Sequence, residues 1–224
     1  KWGFIDKSGK VVIEPQFDRV FDFSEGLGKV EKDDKYGFID KNGKVVIEPQ
    51  FDYVGDFSEG LAQLFKDGKW GFIDKSGKVV IEPQFDHARD FSEGFAQVIK
   101  GGKLVFEEFQ LEQVIKGGKW GFIDKNGKVV IEPQFDKADP FNEGLAGVEK
   151  DGKWGFIDKN GKVVIEPQFD WVSYFSEGWV SYFSVGLARV QKDRKYDFKY
   201  GFIDKSGNDV EPFSEGLASV AIES

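Results

Sequence analysis

An aromatic residue followed by Gly-Phe-Ile-Asp occurs six times in this chain, beginning at Trp2, Tyr36, Trp70, Trp120, Trp154 and Tyr200. The spacing is 34 residues between the first three copies and again between Trp120 and Trp154. A unit that short cannot enclose a core of its own, so each copy must bury its apolar face on a neighbour of the same shape. Residues 1–224 therefore read as one repeat domain rather than as independent domains. The longer spacings contain short tandem copies. QVIKGGK at Gln97–Lys103 recurs at Gln113–Lys119, an insertion over 101–116. WVSYFSEG at Trp171 is followed by WVSYFSVG at Trp179, and KYDF at Lys195 by KYGF at Lys199, so further insertions fall near 179–186 and 195–198. Each is expected to loop out or to lengthen a hairpin.

The unit reads as three or four strands. WGFID alternates bulky and small or polar positions, KVVIEPQF is β-branched with a Pro near its end, and GLAxVxK alternates over a short run. DKSGK or DKNGK supplies the positive φ of a hairpin turn, and KDGK is a second hairpin signal. The remaining link, FDxxxDFSEG, is too long for a tight turn and has room for a brief fourth strand. Pro15, Pro49, Pro83, Pro133 and Pro167 cannot donate to a ladder, so their strand belongs at a sheet edge. Glu14, Glu48, Glu82, Glu132 and Glu166 beside them would discourage edge-to-edge pairing.

An all-β array of six antiparallel meanders follows. A closed β-propeller is favoured, with GLAxV innermost, because the chain opens on WGFID and finishes on FSEGLASVAIES, which would complete the blade begun at Trp2. An open β-solenoid or hairpin array is the alternative, since 34 residues is short for a blade and the sixth unit lacks most of its Pro strand. The chain contains no Met and begins in mid-repeat, as a processed chain or a fragment would.

These recurring words, [WY]GFIDK[SN]GKVVIEPQFD and FSEGLA, resemble the bacterial WG-repeat proteins, also called KWG repeats. The resemblance spans essentially the whole chain, with departures at 101–116, 179–186 and 207–216. It implies a β-rich repeat, often secreted or associated with the bacterial envelope, and brings no catalytic residues with it.

Charge narrows the partners. A formal charge of -9, spread through every unit, disfavours nucleic acid and anionic membranes, both of which reward a positive footprint. No apolar run approaches the roughly 18–20 residues of a membrane-spanning helix, so no membrane insertion is expected.

The inventory of reactive groups is thin. With no Cys and with His87 as the single histidine, thiolate nucleophiles, Ser-His-Asp triads and His-cluster metal sites are excluded within one chain. Forty acidic residues make some close carboxylate pair unavoidable, so a glycoside hydrolase remains only a remote alternative. Asp6, Asp40, Asp74, Asp124, Asp158 and Asp204 sit beside hairpin turns, where capping backbone N–H groups explains them. DKNGK has too few spaced oxygens for a calcium loop. No cofactor or metal is expected. The repeated Trp residues read as packing between units, and Ala62/Leu64, Ala96/Val98, Ala146/Val148 and Ala188/Val190 as core.

What varies between copies is the triplet after QFD and the residue after LA. Arg19, Tyr53, His87, Lys137 and Trp171 open that triplet and form the candidate recognition row, with Tyr174 as a further aromatic anchor. Unconstrained drift of exposed loop residues is the bland account of the same variation. The sequence thus points to a non-enzymatic interaction module for a protein or glycan partner. A structural protein that self-associates into filaments or surface layers through its β edges is the alternative.

Overall fold

The structure is a computed structural model and describes residues 1–106, 113–172, 186–191 and 200–210. Among these residues it is all-β and antiparallel. β1 (Trp2–Ile5) and β2 (Val11–Phe17) form a first, two-stranded sheet. The second sheet runs β3 (Arg19–Ser24), β4 (Leu27–Lys32), β5 (Lys35–Asp40) and β6 (Val45–Phe51). The third runs β7 (Tyr53–Val54), β8 (Leu61–Lys66), β9 (Lys69–Asp74) and β10 (Val79–Phe85). The fourth begins with β11 (His87–Ala88) and β12 (Phe95–Lys100). A separate hairpin, β13 (Lys103–Phe106) with β14 (Gln113–Lys116), intervenes before β15 (Lys119–Asp124) and β16 (Val129–Phe135) complete it. The fifth runs β17 (Lys137–Ala138), β18 (Leu145–Lys150), β19 (Lys153–Asp158) and β20 (Val163–Phe169). The sixth runs β21 (Trp171–Val172), β22 (Leu187–Gln191), β23 (Tyr200–Asp204) and β24 (Asp209–Val210).

The insertion over 101–116 thus lengthens one hairpin: β12 still pairs with β15 up to Lys100 opposite Lys119, and the duplicated residues pair with each other. Residues 179–185 and 195–198 of the other two insertions lie outside the described residues, as does Leu217 onward, the segment a closed ring would set against the first sheet.

The sheet differs from the expected meander in one respect. GLAxV is not the inner edge; it lies second, and a strand that starts at the variable residue takes the edge. Two residues suffice for this strand in the third sheet, where Tyr53 opposes Phe65 and Val54 opposes Leu64. In the second sheet the same strand, β3, runs six residues, pairing again at Phe23 and Ser24 after a register shift beyond Val20. At the opposite edge lies the Pro-bearing strand, as its missing N–H requires.

Beside that Pro the register slips: Trp120 faces Phe135 while Phe122 faces Ile131, so β16 carries extra residues against β15. The slip presses backbone onto backbone at the Gly of each WG pair. A Cβ on Gly121 would lie 2.5 Å from Ile131 O and 2.6 Å from Pro133 N. The expected Asp turns also form: Asp40 Oδ1 accepts from Asn42 N at 2.8 Å and from Lys44 N at 2.9 Å.

Each core lies between sheets rather than within one. In WGFID the Phe faces the following sheet and the Ile faces the preceding one. Phe72, Ile81 and Phe85 of the third sheet pack on Ala88, Phe91, Ala96, Val98 and Ile123 of the fourth. The same arrangement joins second to third, fourth to fifth and fifth to sixth. The pairs Ala62/Leu64, Ala96/Val98, Ala146/Val148 and Ala188/Val190 are all buried in these seams.

FSEG staples the sheets at their rim. Ser24 Oγ donates to Phe57 O of the next sheet at 2.7 Å, and Ser58 Oγ repeats this to Phe91 O at 2.8 Å. Glu25 accepts from Gly60 N at 3.0 Å and pairs with Lys75 at 3.0 Å, while Glu59 does the same with Gly94 and Lys125. Gly121→Ala is expected to lower unfolding free energy by about 1–3 kcal/mol, because strand backbone is the obstructing group and cannot rotate away. Urea denaturation of the purified chain measures it.

Candidate functional site

The variable residue and the WG aromatic of successive sheets interleave into one ladder. Tyr36 of the second sheet meets Tyr53 of the third at 6.3 Å between ring centroids, and Tyr53 meets Trp70 of its own sheet at 5.4 Å. Trp70 then meets His87 of the fourth sheet at 5.3 Å, and His87 meets Trp120 at 5.7 Å. In the fifth sheet the ladder changes chemistry: Lys137 Nζ lies 5.9 Å from the Trp154 ring. These edge-on contacts follow from alternation, since Trp shares a strand face with the Phe two residues on and so points at the next sheet.

The ladder thus links Tyr53 and His87 through Trp70, and Lys137 meets Trp154 in the fifth sheet. Arg19 bonds Glu31 at 3.4 Å, and Lys137 pairs with Glu149 at 2.7 Å. Trp171 is exposed at the edge of the sixth sheet, and Tyr174 lies outside the described residues. The WG aromatics are graded rather than uniformly core: Trp120 is 9% exposed, Trp70 half-buried and Trp2 63% exposed. Burial, and secondarily the charge of Arg89, lowers the His87 pKa, so the ring is neutral at neutral pH.

Beside Tyr53, Trp70 and His87 opens a cleft of about 450 Å³ that crosses from the third sheet to Pro140 of the fifth. A second variable row supplies its polar groups. The residue after LA faces the next sheet, where the residue before FSEG meets it. Lys29 reaches Asp56 at 2.9 Å, and Gln63 Nε2 donates to Asp90 Oδ1 at 2.9 Å. At the next step Gln97 should find an acid, but Pro140 occupies that position. Gln97 is 1% exposed, and among the described residues neither its Nε2 nor its Oε1 has a hydrogen-bond partner. Leaving such a group unmatched costs about 1–3 kcal/mol.

Arg89 lies across the strand pair from Gln97, its backbone N–H donating to Gln97 O at 3.0 Å. Its guanidinium sits 4.6 Å from the Trp120 ring and donates to Ala138 O at 3.2 Å. Desolvation, then the nearby Asp56 charge, raises the Asp90 pKa. Sequence reasoning noted that the post-LA residue varies but did not pair it with the following unit. Comparing copies one unit out of step, Lys29 with Asp56 and Gln63 with Asp90, exposes Gln97–Pro140 as the mismatch.

One position along, Asp139 takes the place of Gly55 and Arg89. Its Oδ2 would lie 3.1 Å from a Cβ on Gly147, so that glycine makes room for the carboxyl. Burial pushes the Asp139 pKa up to about 6, against the opposing pull of Arg89 and Lys137.

The model of a "WG containing repeat" family matches residues 2–36, 36–70, 70–103, 120–154 and 154–196. A search of curated proteins finds no match. Among solved structures, the crystal structure of BamB from Moraxella catarrhalis is similar over 91% of this chain at 10% identity and a TM-score of 0.43. This chain covers 64% of that one.

Asp139 carries a pH signature. Its folded pKa of about 6 exceeds the ordinary aspartate value of 3.8, so its stabilising contribution is complete below about pH 4 and is lost as pH rises through 6. Asp139→Asn is therefore expected to stabilise the fold at pH 7 by up to about 3 kcal/mol and to make no difference near pH 3.5. Thermal unfolding of both proteins across that range reads the crossover.

Proposed function

The chain belongs to the WG-containing-repeat family, and we propose that it works as a non-enzymatic binding module for a protein or glycan partner. The stacked sheets act as a rigid frame, and the edge strands with their aromatic ladder form the contact face. One observation carries this reading: the cleft beside the ladder joins half-buried aromatic surface to a polar amide for which the described residues supply no partner. Binding sites combine those features, an apolar wall with a few convergent polar groups. The scaffold words hold the sheets together and the varied words line the face, which is how a repeat frame diversifies recognition without disturbing its core.

Self-association is the competing reading. Val46, Val80, Val130 and Val164 are exposed on the Pro-bearing edge strands and repeat from sheet to sheet. The two readings separate in one set of samples. Tyr53 and Trp171 are exposed at 44% and 37%, and Tyr53 also meets Tyr36 and Trp70, so Tyr53→Ala with Trp171→Ala is expected to cost about 1–3 kcal/mol in total and to leave the chain folded. Screened on glycan and peptide arrays, the wild-type chain is expected to bind and the double variant to lose that signal. A mass that rises with concentration in light scattering, with both arrays silent, would favour self-association instead.

A further inference from the structure

We infer that the cleft over Gln97 is a subsite for one uncharged sugar ring. This deepens the binding-module reading and rests on it. The starting point is the broken pairing row. Where the second and third sheets place Lys29 and Gln63, the following sheet answers with Asp56 and Asp90. Pro140 breaks the pattern, leaving Gln97 with a buried donor and a buried acceptor both unmet among the described residues.

A ligand that satisfies Gln97 must accept and donate at one spot. A sugar hydroxyl does both, and a ring carries several. The cleft's other walls suit the rest of such a ring. Trp70 and Tyr53 offer aromatic surface to its C–H face, Asp90 supplies an acceptor and Arg89 donors at the exposed side. His87 is held neutral and adds no charge.

Other ligand classes fit worse. An anion would meet Asp90 within a chain of net charge -9, and a cation would meet Arg89 while leaving the Gln97 donor unmatched. An extended peptide adds to a sheet edge through a run of backbone pairs, and β11 offers only two residues. Anchoring a peptide by side chains needs exposed apolar surface, and Tyr53 is the one large hydrophobic residue of the cleft that is exposed. The Gln97 amide is sealed from solvent, so ligand entry requires cleft side chains to move, among them Arg89, which pairs with Gln97 across the strands and lines the same cleft.

The test follows the Gln97 side-chain amide by 15N NMR in the full chain, assigned by its loss in Gln97→Leu. The probes are the methyl glycosides of glucose, galactose, mannose and N-acetylglucosamine. At least one is expected to shift the amide saturably. Gln97→Leu should weaken that binding by at least about tenfold, equivalent to about 1.4 kcal/mol. Pro140→Asp should weaken it comparably, because the new carboxylate gives the amide the internal partner its neighbours have. Both variants are expected to melt at or above the wild-type temperature; should one fail to fold, the other decides. No saturable shift with any of the four glycosides, or unchanged affinity in a folded variant, would overturn the inference. The array screen of the preceding section fails separately: peptide binding there, with silence here, overturns the sugar subsite and leaves the binding module standing.

Discussion

Among the described residues, no sheet owns a core. Phe38, Phe72, Phe122 and Phe156 each lie on the face that looks to the next sheet, and Ala62, Ala96, Ala146 and Ala188 receive them on the face that looks back. Small residues on one side let large ones on the other approach closely, and a second Phe from the FSEG link closes the seam: Phe38 on Phe57, Phe72 on Phe91, Phe122 on Phe141. This asymmetric packing is why the words barely change. A substitution in one copy damages two sheets.

The functional face is a by-product of that spacing. Once the seam sets how closely two sheets approach, the aromatic before the Gly is carried to the first variable residue of the next sheet, as Tyr36 is to Tyr53 and Trp70 to His87. Tyr53, His87 and Lys137 occupy equivalent places and differ only in what they offer. The second row works alike: a residue after LA meets one before FSEG, as an ion pair at Lys29–Asp56, as a hydrogen bond at Gln63–Asp90 and as a mismatch at Gln97–Pro140. Variation at such positions changes chemistry without moving backbone.

Much of this was legible in the chain itself. Pro at an edge, Asp capping a turn and Ala alternating with Val on a buried strand are local consequences of residue type, and the WG, EGLA and Pro words carried them. The position of GLAxV was misjudged because two residues such as Tyr53 and Val54 make too short a strand to leave a periodic signal. FSEG looked like a loop, yet Ser24 and Glu25 are cross-sheet staples whose partners lie in the next repeat. The Trp residues were neither core nor surface as a class, because their exposure depends on what the neighbouring residues supply: Trp2 is 63% exposed, while Trp120 is covered by His87 and Arg89. Gln97 could not be singled out from its own unit, since its peculiarity lies in Pro140.

Packing of each sheet on the next is the claim on which the rest stands, and a double-mutant cycle tests it most directly. Phe72 of the third sheet and Phe91 of the fourth have ring centroids 4.9 Å apart in edge-to-face geometry. Unfolding free energies of wild type, Phe72→Leu, Phe91→Leu and the double variant should give a coupling of about 0.5–1.5 kcal/mol. Additivity to within about 0.3 kcal/mol would mean the two rings do not meet, and would contradict the stacked-sheet account.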